Sequence, residues 1–175
     1  MKWVALLRAV NLGARNKVPM AQLRTLLEEN GYEDVRTYIA SGNVLFDGPR
    51  GRAAVAGKLE RLIADSFGVD TTAIMRTPAE LVATVAGHPF GKDTSRSHVV
   101  FLAAEPDREG AERVAAVDAS PDRVVLAGPD VYLQYHSGVQ GSRLSAARLE
   151  RLLGLRATHR NWRTVAALAE VAAEA

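Results

Sequence analysis

The residues of this chain best suited to chemistry are those that could hold an anion. Residues 8–24 contain Arg8, Arg15, Lys17 and Arg24 with no acid, and residues 140–163 contain six arginines against Glu150 alone. These segments sum to +4 and +5 in a chain of net charge +2, so the remainder carries −7. The positive segments also hold small polar turn residues, Asn11-Leu12-Gly13 in the first and Gly141-Ser142-Arg143 and Arg160-Asn161 in the second, and Ser41-Gly42-Asn43 lies between them. Guanidinium and ammonium groups beside turns rich in backbone N–H groups are what a phosphate or carboxylate needs. Gly141-Ser142-Arg143, read as a helix start, would add backbone donors, a capping hydroxyl and a guanidinium. Each feature also has a duller reading. Basic residues solvate helix faces, and Gly and Asn tolerate the positive φ of tight hairpins.

Other chemistries find little support. The chain has no cysteine, which excludes a thiolate nucleophile, a thiolate metal site and a disulfide framework. His88, His98, His136 and His159 show no i, i+4 pairing, so neither a metal nor a cofactor is expected. There is no Gly-x-Ser-x-Gly elbow and no Walker loop, and the Gly141 segment lies between strand and helix, unlike the glycine clamp of a KH domain. Glu28-Glu29 reads as solvated helix. Tyr132 and Tyr135 fall on opposite faces of one strand and so do not form an RNA-stacking pair. No catalytic residue is identified; if a general base exists, His136 and His159 are the candidates.

The elements that position these residues follow from periodicity. Lys2 to Arg8 is apolar on both alternating faces, a central strand. Pro19 suits a first helical turn, with Met20, Leu23, Leu26 and Leu27 as an apolar stripe and Asn30-Gly31 as the stop. Val35–Ile39 and Val44–Phe46 read as a hairpin, Val55 to Phe67 as a helix stopped by Gly68, and Thr72–Arg76 as a strand. Thr77-Pro78-Ala79-Glu80 is a capping box opening a third helix with Leu81, Val82 and Val85 inward. The pattern then repeats. A strand at 98–104, a helix near 107–118 and a hairpin of 123–126 with 131–135 are expected. A helix over 142–153 stopped by Gly154, a strand over 155–158 and a last helix capped by Asn161 complete it. The expected fold is α+β, with two ferredoxin-like βαββαβ lobes, each a four-stranded antiparallel sheet with an extra helix. The lobes are placed at 1–87 and 97–175, joined through 88–96. The linkers Gly48–Gly51 and Gly138–Gly141 correspond.

In this topology the loop after the first strand and the Ala40–Asn43 turn share one end of the first sheet. The segments 136–142 and 158–161 share the opposite end of the second. The candidate ligand-binding residues are therefore Arg8, Asn11, Lys17, Ser41 and Asn43 in one cluster and Ser142, Arg143, Arg160 and Asn161 in the other. If the clusters face each other, the site is a cleft between the lobes; the sequence leaves that open.

The motifs Arg8-x-x-Asn11-x-Gly13, Lys17-Val18-Pro19-Met20, Tyr38-Ile39-x-Ser41-Gly42-Asn43, Ser142-Arg143-Leu144 and Arg160-Asn161-Trp162-x-Thr164-Val165 occur in this order. In that combination the chain resembles the mostly bacterial DUF1697 family, a domain of unknown function, over nearly its full length. The resemblance implies two ferredoxin-like lobes and no established activity, substrate or cofactor. The chain departs from the family pattern at Ala40, Arg143 and Arg163, where glutamine, lysine and asparagine are usual.

The expected function is a cytoplasmic protein that binds an anionic, phosphate- or carboxylate-bearing ligand, with nucleotide or nucleic acid among the candidates. The alternatives are a metal-independent enzyme of unrecognised type and a structural or oligomeric protein whose polar loops are only turns. No apolar run is long enough for a membrane span, and the start of the chain reads as a strand, not a signal peptide.

Overall fold

The computed structural model describes residues 1–140 and 142–174. In order, the first eight elements are β1 (Lys2–Leu7), α1 (Met20–Glu29), β2 (Glu33–Tyr38), β3 (Asn43–Asp47), α2 (Arg52–Phe67), β4 (Ala73–Arg76), α3 (Pro78–Ala86) and β5 (Ser97–Leu102). They are followed by α4 (Arg108–Ala115), β6 (Arg123–Ala127), β7 (Asp130–Gln134), α5 (Ala146–Leu153), β8 (Ala157–Asn161) and α6 (Trp162–Glu174). Two antiparallel four-stranded sheets result, ordered β2-β3-β1-β4 and β6-β7-β5-β8. Both are the ferredoxin-like order, so the α+β reading with two such lobes is the fold. The chain divides into two compact units, residues 1–81 with the chain from Val171 onward, and residues 82–170. The division falls inside α3.

β1 is central because every second residue on each side is apolar. Trp3, Ala5 and Leu7 join Leu23, Leu27, Leu59 and Ile63 in the core beneath α1 and α2, while Val4 and Leu6 on the other face are equally buried. In the second unit Val100, Leu102, Leu133 and Tyr135 pack with Leu149 and Leu153. The expected capping box closes α3: the Thr77 N–H donates to Glu80 Oε2 at 2.7 Å, and the Glu80 N–H to Thr77 Oγ1 at 3.3 Å. Of the three residues expected inward on α3, Val82 is exposed and Thr84 is buried in its place. The Thr84 hydroxyl donates to Asp130 Oδ2 at 2.6 Å, a polar anchor that periodicity does not reveal.

The register shows how deep the repeat runs. Val4 pairs with Leu45 on one side and Arg76 on the other; Val99 pairs with Tyr132 and Arg160. On that alignment Asn43, opposite Leu6, matches Asp130, opposite Phe101. Arg76 matches Arg160. All four polar residues are buried. The residue after each arginine then caps a helix, Thr77 for α3 and Asn161 for α6, whose Oδ1 accepts from the Thr164 N–H at 2.9 Å. Each lobe thus carries a buried arginine at or one residue before the end of its fourth strand, followed at once by a cap.

Candidate functional site: the loop end of the first sheet

The segment between β1 and α1 is held by one side chain. Asn11 Nδ2 donates to Val18 O at 2.9 Å and to Ala40 O at 2.7 Å, and Asn11 Oδ1 accepts from the Val18 N–H at 2.8 Å. One carboxamide therefore closes the loop on itself and ties it to the β2–β3 turn. The turn is anchored in return, with the Leu7 N–H donating to Gly42 O at 2.8 Å. Gly42 has φ +84°, and a Cβ there would lie 2.4 Å from Val10 Cγ2 and 2.9 Å from Leu7 Cβ, so only glycine lets the turn sit this close.

Backbone strain concentrates at this corner. Of the non-glycine residues with positive φ, Ala9, Asn11, Asn16 and Ile39 all belong to the loop or the turn, and Asp34 is the exception. Such residues persist only where the surroundings over-determine them, and they gather at ligand clamps. Beside them opens a recess of about 590 Å³ lined by Asn11, Lys17, Val18, Pro19, Met20, Thr37, Ile39 and Ala40. Lys17 is exposed at its edge, and Ile39 presents its side chain to solvent at 52% exposure.

The recess lies against the start of α1, and that start is uncapped. Pro19 occupies the N-cap with φ −64° and ψ 120°, and makes no side-chain cap hydrogen bond. The amides of Met20, Ala21 and Gln22 precede the first intrahelical bond, from the Leu23 N–H to Pro19 O at 2.9 Å. They carry the positive end of the helix dipole. The sequence assigned Pro19 to the first turn. Its significance as a cap lies in what proline lacks, a side-chain acceptor.

The first five candidate residues come together at this end. Lys17 faces the recess and Asn11 lines it. Asn43 is fully buried, and its Nδ2 donates to Tyr38 O and to Ser41 Oγ, each at 2.9 Å, so these two side chains build the hairpin. Arg8 is half-buried; its carbonyl accepts from the Thr71 hydroxyl at 2.7 Å and its N–H donates to Thr72 O at 2.9 Å.

The second cluster differs from expectation. α5 begins at Ala146, capped by Ser145, whose hydroxyl accepts from the Arg148 N–H at 3.1 Å. Ser142 is therefore not at a helix start. Ser142 Oγ instead donates to Asp122 Oδ2 at 2.6 Å and accepts from the Leu144 N–H at 3.0 Å. Arg143 is exposed, 3.8 Å from the Asp118 carboxylate. Gly141, the first residue of that motif, lies outside the described residues. Arg160 is 7% exposed, with Nη1 donating to Thr158 Oγ1 at 2.7 Å and to His159 O at 2.9 Å. Burial brings its pKa down to about 10, so it remains charged at neutral pH. Asn161 is spent on the α6 cap.

His159 is held in its neutral form and is a weak base. Its Nε2 lies 2.8 Å from His98 Nδ1. Burial first, then the His98 and Arg160 charges, press its pKa to about 4. The Tyr135 ring stands edge-on to His98 at 4.9 Å, and its hydroxyl donates to Leu144 O at 2.8 Å. This is a structural cluster. Among the described residues no group of three or more His, Asp or Glu side chains is placed to hold a metal, and no helix is long and apolar enough to cross a membrane.

Comparison with known proteins agrees with the fold and adds no activity. No curated protein matches the chain. A solved structure of the conserved bacterial protein SP0830 from Streptococcus pneumoniae superposes with a TM-score of 0.77 at 23% identity, covering 98% of this chain and 97% of that one. The family model described as "Protein of unknown function (DUF1697)" matches residues 1–132, and the chain belongs to that family.

Proposed function

We propose that this is a cytoplasmic binding protein for a small anionic ligand with an apolar body, held in the recess at the start of α1. The observation that carries the reading is the uncapped first turn of α1 beside Lys17, at the mouth of a recess with mainly apolar walls. A phosphate or carboxylate would take the Met20–Gln22 amides and the Lys17 ammonium. The apolar body would lie over Pro19, Met20 and Ile39. Charge-assisted hydrogen bonds contribute ~1–3 kcal/mol each. A net gain of about 5–6 kcal/mol corresponds to a Kd near ~0.1 mM. The strained loop serves this by fixing the lining before the ligand arrives, which lowers the entropic cost of binding. The cytoplasmic placement rests on a composition free of cysteine.

The test is a thermal-shift panel of aryl and alkyl phosphates and carboxylates, with short oligonucleotides as a separate arm. Stabilisation by a compact amphipathic anion, lost in Lys17→Ala, supports the reading. Stabilisation by oligonucleotides alone, or an undiminished shift in Lys17→Ala, refutes it.

A further inference from the structure

We propose that the second unit carries a separate site, built around Arg96 and Arg123, that binds a hydroxylated phosphate monoester of the sugar-phosphate type. The site is a recess of about 480 Å³ lined by Asp93, Ser95, Arg96, Pro121, Arg123, Gln134, Tyr135 and His136. That volume suits a ligand of monosaccharide size. The inference does not depend on the recess of the first unit.

Sheet register brings together residues far apart in sequence. Arg123 pairs with Gln134 across β6 and β7, and Ser97 pairs with Gln134 across β5 and β7. The Tyr135 N–H donates to Arg96 O at 3.0 Å, and Arg96 Nη1 donates to His136 O, so the 93–96 segment is fastened along the end of β7. The Arg123 guanidinium lies over the Phe90 ring with Cζ 4.8 Å from the centroid, and its Nη1 donates to Gln134 Oε1 at 3.2 Å. Stacking and one hydrogen bond fix the plane of the guanidinium. Its Nε and Nη2 donate to no described residue, which leaves one edge of the fork for two phosphate oxygens. Arg96 and His136 line the same recess.

The hydroxyl half of the assignment comes from Asp93. Its Oδ1 accepts from the Ser95 N–H at 3.0 Å and from Ser95 Oγ at 2.7 Å. Those bonds, ahead of the more distant charge of Arg96, hold its carboxyl below the usual range. Asp93 is thus an anion in the same recess, with Oδ2 accepting from no described residue. A second anionic group on the ligand would meet it unfavourably, whereas a ligand hydroxyl would donate to it. One phosphate for the arginines and hydroxyls for Asp93 is the combination the lining fits. Asp122 is not one of the lining residues, and its carboxylate is engaged elsewhere, accepting from the His136 N–H at 2.8 Å and from Ser142 Oγ at 2.6 Å.

The experiment is calorimetric titration of the full chain with glucose 6-phosphate and ribose 5-phosphate, with glucose and inorganic phosphate as the half-ligands. Expected is saturable binding of at least one sugar phosphate, at least tenfold tighter than inorganic phosphate, with none for glucose. Arg123→Lys keeps the charge but loses the fork and should weaken binding at least tenfold, as should Arg96→Ala. Asp93→Asn retains Oδ1 and should erase the advantage of the sugar phosphate over inorganic phosphate. Near-UV circular dichroism verifies that each variant is folded. The proposal is overturned if neither sugar phosphate binds saturably, if inorganic phosphate binds equally well, or if folded Arg123→Lys and Arg96→Ala bind as tightly as the parent.

Discussion

The two lobes share a topology and a register, and they part company where the first strand hands over to the first helix. In the second lobe residues 103–107 make that passage, and Asp107 caps α4 by accepting from the Gly110 N–H at 2.7 Å. In the first lobe residues 8–19 make it, Asn11 locks the loop to the neighbouring turn, and α1 starts on a proline with no cap. A carboxylate satisfies the amides and the dipole of α4 from within the chain. The same groups on α1 meet no side-chain cap from their N-cap residue. A duplicated scaffold therefore provides its own control: the lobe that caps its helix shows what the fold alone requires, and the lobe that does not shows what was added.

The hairpin turns sharpen the contrast most. Gly42→Ala places a methyl against Val10 and Leu7 in a left-handed backbone, whereas at Gly128, φ +55°, an added Cβ meets nothing within 4 Å. We expect Gly42→Ala to destabilise by ~3 kcal/mol or more, and Gly128→Ala by ~1–2 kcal/mol, the cost of the backbone conformation alone. Urea melts of the two variants decide it; equal losses would mean the first turn is not packed against the loop. Asn11→Ala should come next, at ~2–4 kcal/mol, since it removes three hydrogen bonds and puts alanine at φ 54°.

The second lobe should also be the acid-sensitive one. His98 and His159 are held neutral by burial, so below pH ~6.5 the unfolded chain takes up protons that the native state refuses. Stability is full above pH ~6.5, falls as pH drops toward about 4, where His159 itself titrates, and stops falling below that. The expected loss is ~1–3 kcal/mol. His159→Gln should flatten the slope in urea melts between pH 7 and 4.5; an unchanged slope would place the sensitivity elsewhere.

Much of this scaffold was legible because its signals are local. Apolar alternation marks β1 and β5, and Thr77 with Glu80, and Asn161 alone, cap the helices they announce. The start of α5 was not legible, because Ser142 and Ser145 are both plausible caps and only tertiary contact with Asp122 removes the first. Thr84 replaces Val82 inward for the same kind of reason, a partner on a distant strand. The first cluster was proposed from residue type, and of its members Asn11 and Lys17 line the recess. Its walls, Thr37 and Ile39, were missed as ordinary strand residues. Arg96 and Arg123, which line the recess of the second unit, lie far apart in sequence and carry no local motif that would single them out.

The smallest effect on stability carries the most information about function. Pro19→Asp copies the Asp107 arrangement onto α1, and Pro19 already has cap-like φ −64° and ψ 120°. It should raise stability by ~0.5–1 kcal/mol while filling the amides with the chain's own carboxylate. The direct measurement is an amide NMR titration with phenyl phosphate, following Met20, Ala21 and Gln22 in the parent and in Pro19→Asp. The account predicts saturable shifts of these three amides in the parent and none in the variant, although the variant is the more stable protein. Shifts that fail to saturate, that centre on other residues, or that survive unchanged in Pro19→Asp would contradict it.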